Sequence, residues 1–216
     1  MQNLIRSHPS YFRSGDIFDG DAENENSCWW KNNCNGSPWN CPHAFNTFTQ
    51  NLTIYADQAF AQIGLSGVIT WIHSTDPGTA QAGLLSAQTV KVDHNVVTID
   101  PYPDQNTTDP ATAARKWLDQ LNKIHSVWPN AAIVIGEAGY NLNTQVSDAN
   151  QAAVLHAEFA AIEQMNPPWL KGWNYWVGAG GPGYGGYTNI LKGTTGNWRP
   201  RAAGTVLKNF FAWARA

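Results

Sequence analysis

Five short strand-like runs alternate with helical patterns along this chain, and that alternation limits its fold more than any other feature. The first run covers residues 15–19. A helix is predicted after it over residues 44–63, with Phe45, Phe48, Leu52, Tyr55, Ala59 and Ile63 on one stripe and Gly64 as its stop. The second run covers residues 67–73, and a weaker helical pattern follows over residues 79–90. The third covers residues 96–100. Asp109-Pro110 then opens a helix, with Asp as cap and Pro in the first turn. Its apolar face carries Ala114, Trp117, Leu118, Leu121, Ile124 and Trp128, and Pro129-Asn130 ends it. The fourth run, residues 131–137, is the strongest strand pattern. The helix after it, residues 147–165, turns Val154, Ala157, Ala161, Ile162 and Met165 inward and is broken by Pro167-Pro168. The fifth run covers residues 170–177. A last helix over residues 201–214 carries Val206, Leu207, Phe210 and Phe211 on its apolar face.

Strand–helix alternation at this pitch means parallel strands joined by right-handed crossovers. Continuous apolar strands fit a parallel sheet with helices over it. Two α/β architectures meet these conditions. One is a five-stranded doubly wound sheet. The other is a partial (β/α)8 barrel, whose full form takes about 250 residues and eight units. The chain has 216 residues. In the barrel reading three units are missing, and residues 1–13 are the tail of a preceding unit. Nothing marks a linker or a second domain, so residues 1–216 read as one domain. The glycine-rich stretch 178–186 reads as a loop. It does not open directly into a helix, as a phosphate cradle would.

Charged residues make up 13% of the chain and the net charge is −3. Nucleic-acid binders concentrate positive charge, so that partner is not expected. No run of 18 apolar residues predicts a membrane span, and residues 1–13 hold no apolar segment of a signal peptide. The chain carries 11 tryptophans, whose flat apolar faces and polar edges suit sugar rings as well as a packed core.

Ligands of parallel α/β proteins bind at the carboxyl ends of the strands. Those ends carry Asn24-Glu25 in a polar run after the first strand, His73 after the second and Tyr102 after the third. Glu137 follows the fourth and Trp176 ends the fifth. A carboxylate at the end of a buried strand is costly unless it is paired or used, which singles out Glu137. Two carboxylates across a Trp-lined cleft meet the needs of glycosidic cleavage. One gives a proton to the leaving oxygen, and the other attacks the anomeric carbon or activates water.

With these residues in this order, the chain resembles the C-terminal five-eighths of a retaining (β/α)8-barrel glycoside hydrolase. The clan in question places its catalytic glutamates after strands four and seven. The resemblance covers roughly residues 14–214 and makes the five units strands four to eight. It implies that Glu25 is the acid/base and that Asn24 contacts the sugar 2-hydroxyl. It implies that Tyr102 hydrogen-bonds the nucleophile, that Glu137 is the nucleophile, and that Trp176 floors the subsite of the reacting sugar. It also implies β-configured substrates. The chain departs from the clan in having Asn26, not Pro, after the dyad, and Glu23 is a rival for the acid role. Retention requires a carboxyl separation of about 5–5.5 Å.

The loop over residues 27–43 holds Cys28, Cys34 and Cys41 with Trp29, Trp30 and Trp39. Three cysteines leave either one disulfide and a free thiol or a partner outside this sequence. Their spacings do not match a zinc site, and neither a metal nor a cofactor is expected. A disulfide favours an exported protein, so the full-length protein is expected outside the cell. Trp29 and Trp30 extend the sugar cleft or pin the loop, and His73 reads as a substrate contact or a structural residue. The expected partner is a carbohydrate. Open sheet edges invite either a missing N-terminal barrel half or a second copy. The rival readings are a non-catalytic carbohydrate-binding fragment and a doubly wound hydrolase, for which no nucleophile–base set stands out.

Overall fold

The structure is a computed structural model. It describes residues 1–20, 27–74, 96–103, 107–140, 147–176, 189–193 and 196–214, and only the backbone of residues 39 and 71–74. The helix read over residues 79–90 and the glycine-rich loop 178–186 lie outside the described residues.

The apolar runs form strands β1 (Ile17–Asp19), β2 (Ile69–Ser74), β3 (Val96–Ile99), β4 (Ala132–Ala138) and β5 (Leu170–Tyr175). They lie side by side in the order β1-β2-β3-β4-β5. The first four are paired in parallel, with Ile17 opposite Ile69, His73 opposite Thr98 and Val97 opposite Ile133. A doubly wound sheet reverses its strand order at a switch point. Among the described strands the order has no reversal, which a doubly wound sheet would show and which fits successive crossovers of one hand.

The chain forms two compact units. One comprises residues 1–100, 124–136 and 169–172, and the other residues 101–123, 137–168 and 173–216. The first holds β1 to β3, the starts of β4 and β5, and helices α1 (Gln2–Ser7), α2 (Cys28–Asn33) and α3 (Pro42–Gln62). Its core is Ile5, Ala56, Ala59, Phe60 and Val68, with Phe12 and Phe18 packed against them. The rings of Phe12, Phe18 and Phe60 meet edge to face at 5.1–6.0 Å. So the segment read as a tail folds into α1, which buries Ile5 and ties Arg6 to Gln62 at 2.7 Å.

The stripe expected on α3 is displaced. The buried side chains are Phe45, Thr49, Thr53, Ala56, Ala59 and Phe60, whereas Phe48 and Tyr55 are exposed. Small residues let a neighbouring helix approach. Thr49 loses little by burial because its hydroxyl donates to the Phe45 carbonyl at 3.0 Å. Gly64 does end α3, at φ +76°. The Leu65 and Gly64 amides donate back to the Phe60 and Ala61 carbonyls, which closes the last turn.

The second unit holds most of α4 (Pro110–Val127), with α5 (Asp148–Met165) and α6 (Ala202–Trp213). Asp109 caps α4 by accepting from the Thr112 amide at 2.9 Å. Hydrogen bonds from Thr112 hold the Asp109 carboxyl below its ordinary value. Ser147 caps α5 in the same way, at 3.1 Å from the Asn150 amide. The buried face of α5 is Gln151, Val154, Leu155, Glu158, Phe159 and Ile162. Ala157, Ala161 and Met165, expected inward, are only half-buried. Phe159 decides the helix's rotation, because its ring stacks on Phe210 of α6 at 4.1 Å. The two polar side chains on that face interrupt the stripe an apolar pattern looks for.

The sequence gives no sign of a small antiparallel hairpin, β6 (Leu191–Lys192) and β7 (Arg199–Pro200). Asp148, in the first turn of α5, accepts from Arg201 at 2.6 Å and from Lys192 at 3.3 Å. Burial pushes the Asp148 carboxyl up, but these two cations outweigh it and hold it below the ordinary carboxylate value. The ion pairs therefore contribute above the unfolded carboxylate pKa and are lost as pH falls through the depressed one.

Candidate active site

Three of the residues singled out by the sequence lie in the second unit. β3 ends at Ile99, and the chain turns through Asp100 and Pro101 to Tyr102. β4 carries Ile133, Val134 and Ile135, all buried, to its exit at Glu137, which is half-buried. The Tyr102 hydroxyl donates to Glu137 Oε2 at 3.2 Å. The amide of Trp176, just past β5, donates to the carbonyl of Ala138 at 2.8 Å. That bond fixes Trp176 beside the residue that follows Glu137. The Trp176 side chain is 41% exposed. Consecutive strand ends thus bring a phenol to a carboxylate and tie the backbone of an exposed tryptophan to the residue after that carboxylate.

This set has the parts for work on a sugar. The carboxylate can act as a nucleophile or base, and the phenol fixes one of its oxygens. The exposed Trp176 indole offers an apolar face. Asp100, which the sequence also places at the end of the third strand, lies in the first unit and is 2% exposed.

Asn24, Glu25 and the rival Glu23 lie outside the described residues, and with them the separation of the two carboxyl groups. His73 lies in β2 in register with Thr98, and its side chain is outside the description.

In the first unit, Ser27 caps α2 by accepting from the Trp29 amide at 3.2 Å. Trp30 is 2% exposed and packs against Phe45 and Phe48, with centroids 5.3 and 5.9 Å away. Of the two alternatives for Trp30, sugar contact or pinning the loop, this packing is the geometry of the second. Trp29 is 55% exposed and stands edge-on to Trp30 at 4.6 Å. Of the alternatives left open for the cysteines, the structure takes one disulfide, Cys34–Cys41, with Cys28 free and exposed. No group of three or more His, Cys, Asp or Glu side chains able to hold a metal ion occurs among the described residues. No described helix is long and apolar enough to cross a membrane.

No family model and no curated protein matches the chain. Solved structures do. A glycoside hydrolase family 5 enzyme from Prevotella bryantii, in complex with a xyloglucan tetradecasaccharide, matches with TM-score 0.65 at 13% identity, over 97% of this chain and 61% of that one. An endo-β-1,3-glucanase of family GH128 from Amycolatopsis mediterranei, in complex with laminaripentaose, matches with TM-score 0.50 at 11% identity, over 71% and 63%. A second GH128 endo-β-1,3-glucanase, from Sorangium cellulosum, matches with TM-score 0.50 at 13% identity, over 73% and 60%. The chain spans less than two thirds of the length of each. The likeness is one of fold: a mixed α/β chain with a parallel sheet, whose structural neighbours are glycoside hydrolases.

Proposed function

We propose that the chain is the part of a (β/α)8-barrel glycoside hydrolase that carries strands four to eight, and that it cleaves β-linked glycans with retention. The observation that carries the reading is the hydrogen bond from Tyr102 to Glu137. The uninterrupted strand order and the glycoside hydrolase neighbours support the barrel.

In this reading a Glu137 oxygen attacks the anomeric carbon as the glycosidic C–O bond breaks. The protonated Glu25 gives its proton to the leaving oxygen. Water then attacks the same carbon, gives a proton to the Glu25 carboxylate, and releases Glu137 from its ester. Asn24 holds the 2-hydroxyl, and Trp176 lies under the ring. Trp29, seated by Trp30, adds a further sugar contact. Tyr102 holds the nucleophile in line. Tyr102→Phe removes a hydrogen bond to a charged group, worth about 1.5–3 kcal/mol, and kcat is expected to fall about 10- to 100-fold with little change in KM. Steady-state kinetics on an aryl β-glycoside check this.

β1 and β5 are the end strands of the described sheet, and unpaired strand edges recruit other strands. Three further βα units, from a longer chain or a second copy, complete the barrel in this reading. The Cys34–Cys41 disulfide is consistent with export.

The test is covalent trapping. A 2-fluoro β-glycoside with a good leaving group forms the glycosyl-enzyme quickly and loses it slowly. Incubation with the chain is expected to add the mass of one fluorosugar to the peptide containing Glu137. No adduct across β-gluco, β-manno and β-galacto reagents, or an adduct confined to another residue, overturns the assignment.

A further inference from the structure

We infer that Pro101 and Pro103 make the chain leaving β3 a stiff arm, and that this arm holds Tyr102 against Glu137. The two prolines are positioning residues that act through Tyr102. Their bearing on the reaction rests on the reading of Glu137 as the nucleophile given above.

The two partners of the hydrogen bond are mounted differently. Glu137 lies within β4, where the sheet fixes its backbone. β3 ends at Ile99, so Tyr102 stands three residues beyond the ladder. Ile99 lies opposite Ile135. From that pair the chain runs two residues to Glu137 and three to Tyr102, so the hydroxyl meets the carboxylate only if the exit keeps one course. The exit reads Asp100-Pro101-Tyr102-Pro103. Each proline fixes its own φ and disfavours the helical region for the residue before it. Asp100 and Tyr102 are thereby biased to extended backbone before the chain folds. Proline also has no amide to leave unpaired where the chain quits the sheet. Pro101 is buried and Pro103 half-buried, so both rings are packed as well as restricted.

The Tyr102–Glu137 bond is 3.2 Å long, beyond the usual range for a hydroxyl donor. A contact at that length is sensitive to small displacements, so the stiffness of its mount decides whether it forms. A conformation already set in the unfolded chain lowers the cost of ordering the phenol in the site.

Pro103 is the residue to change, because removing the buried Pro101 also disturbs packing. Glutamate carboxyl carbons are labelled with 13C, and the Glu137 signal is assigned by its absence in Glu137→Gln. Tyr102→Phe is expected to move that signal. Pro103→Ala is expected to move it in the same direction by less, and Pro103→Gly by more than Pro103→Ala. Neither is expected to move it further in the Tyr102→Phe background. On an aryl β-glycoside, Pro103→Ala is expected to lower kcat about 3- to 10-fold with KM within about twofold, and to have no effect in the Tyr102→Phe background. A signal and a kcat that Pro103→Gly leaves unchanged overturn the inference. A shift or a loss that persists at full size in the Tyr102→Phe background also overturns it, because the proline then acts elsewhere. The carboxyl signal needs no turnover. A chain that takes no fluorosugar at Glu137 therefore overturns the nucleophile reading, while the coupling of Pro103 to Tyr102 in that signal still decides the arm.

Discussion

Glu137→Gln is expected to lower kcat on an aryl β-glycoside by about 10⁴-fold or more, with the melting temperature unchanged within about 2 °C. The substitution keeps shape and volume and leaves a carbonyl oxygen to accept from Tyr102, so the hydrogen bond at 3.2 Å survives. What it removes is the charge and the nucleophilic oxygen pair. A residue that only positions substrate cannot account for a loss of that size, because one hydrogen bond is worth about two decades at most. Kinetics and thermal unfolding of the same preparations decide it. Turnover within tenfold of the parent chain removes Glu137 as the nucleophile, whatever the fold. A large loss with unaltered unfolding, joined by formation of the α-azide from a Glu137→Gly variant given azide, assigns it.

How much of this was legible in the residues varies by element. The strands were readable because most are apolar runs between clear breakers, as in Ala132–Ala138. The cap at Asp109 and the stop at Gly64 were readable because each uses local chemistry. The rotation of the helices was less so. On α3 the buried face is selected by Ala56 and Ala59, which admit α1, and not by the larger Phe48 and Tyr55. The fate of Trp30 also depends on tertiary neighbours, since Phe45 and Phe48 on another helix enclose it. The hairpin was hidden for a different reason. Its strands are two residues each, too short for any period, and its fixing charge, Asp148, is 44 positions from Lys192. Tyr102 and Glu137 were named from their places at strand ends. The bond between them spans 35 positions, and only parallel pairing of β3 with β4 brings those ends together.

Trp173→Ala is expected to produce the largest loss of stability in the second unit, about 3–5 kcal/mol, read as a fall in melting temperature of about 6–20 °C. Trp173 lies in the middle of β5, and three elements converge on it. Its ring meets Trp117 of α4 at 4.6 Å, Phe159 of α5 at 5.8 Å and Phe210 of α6 at 6.0 Å. Removing it opens a cavity that its neighbours cannot fill without leaving one another, since Phe159 and Phe210 are already stacked. Trp173→Phe retains part of that packing and is expected to cost less than half as much. Denaturant unfolding of both variants checks the order, and an alanine variant as stable as the parent places the core elsewhere. The consequence for the site follows from the chain. Trp176 is three residues beyond Trp173, and its amide ties β5 to the residue after Glu137. A loosened β5 therefore lowers activity together with stability. Loss of activity at full stability, as with Glu137→Gln, reports chemistry, whereas loss of both reports the packing that places the chemistry.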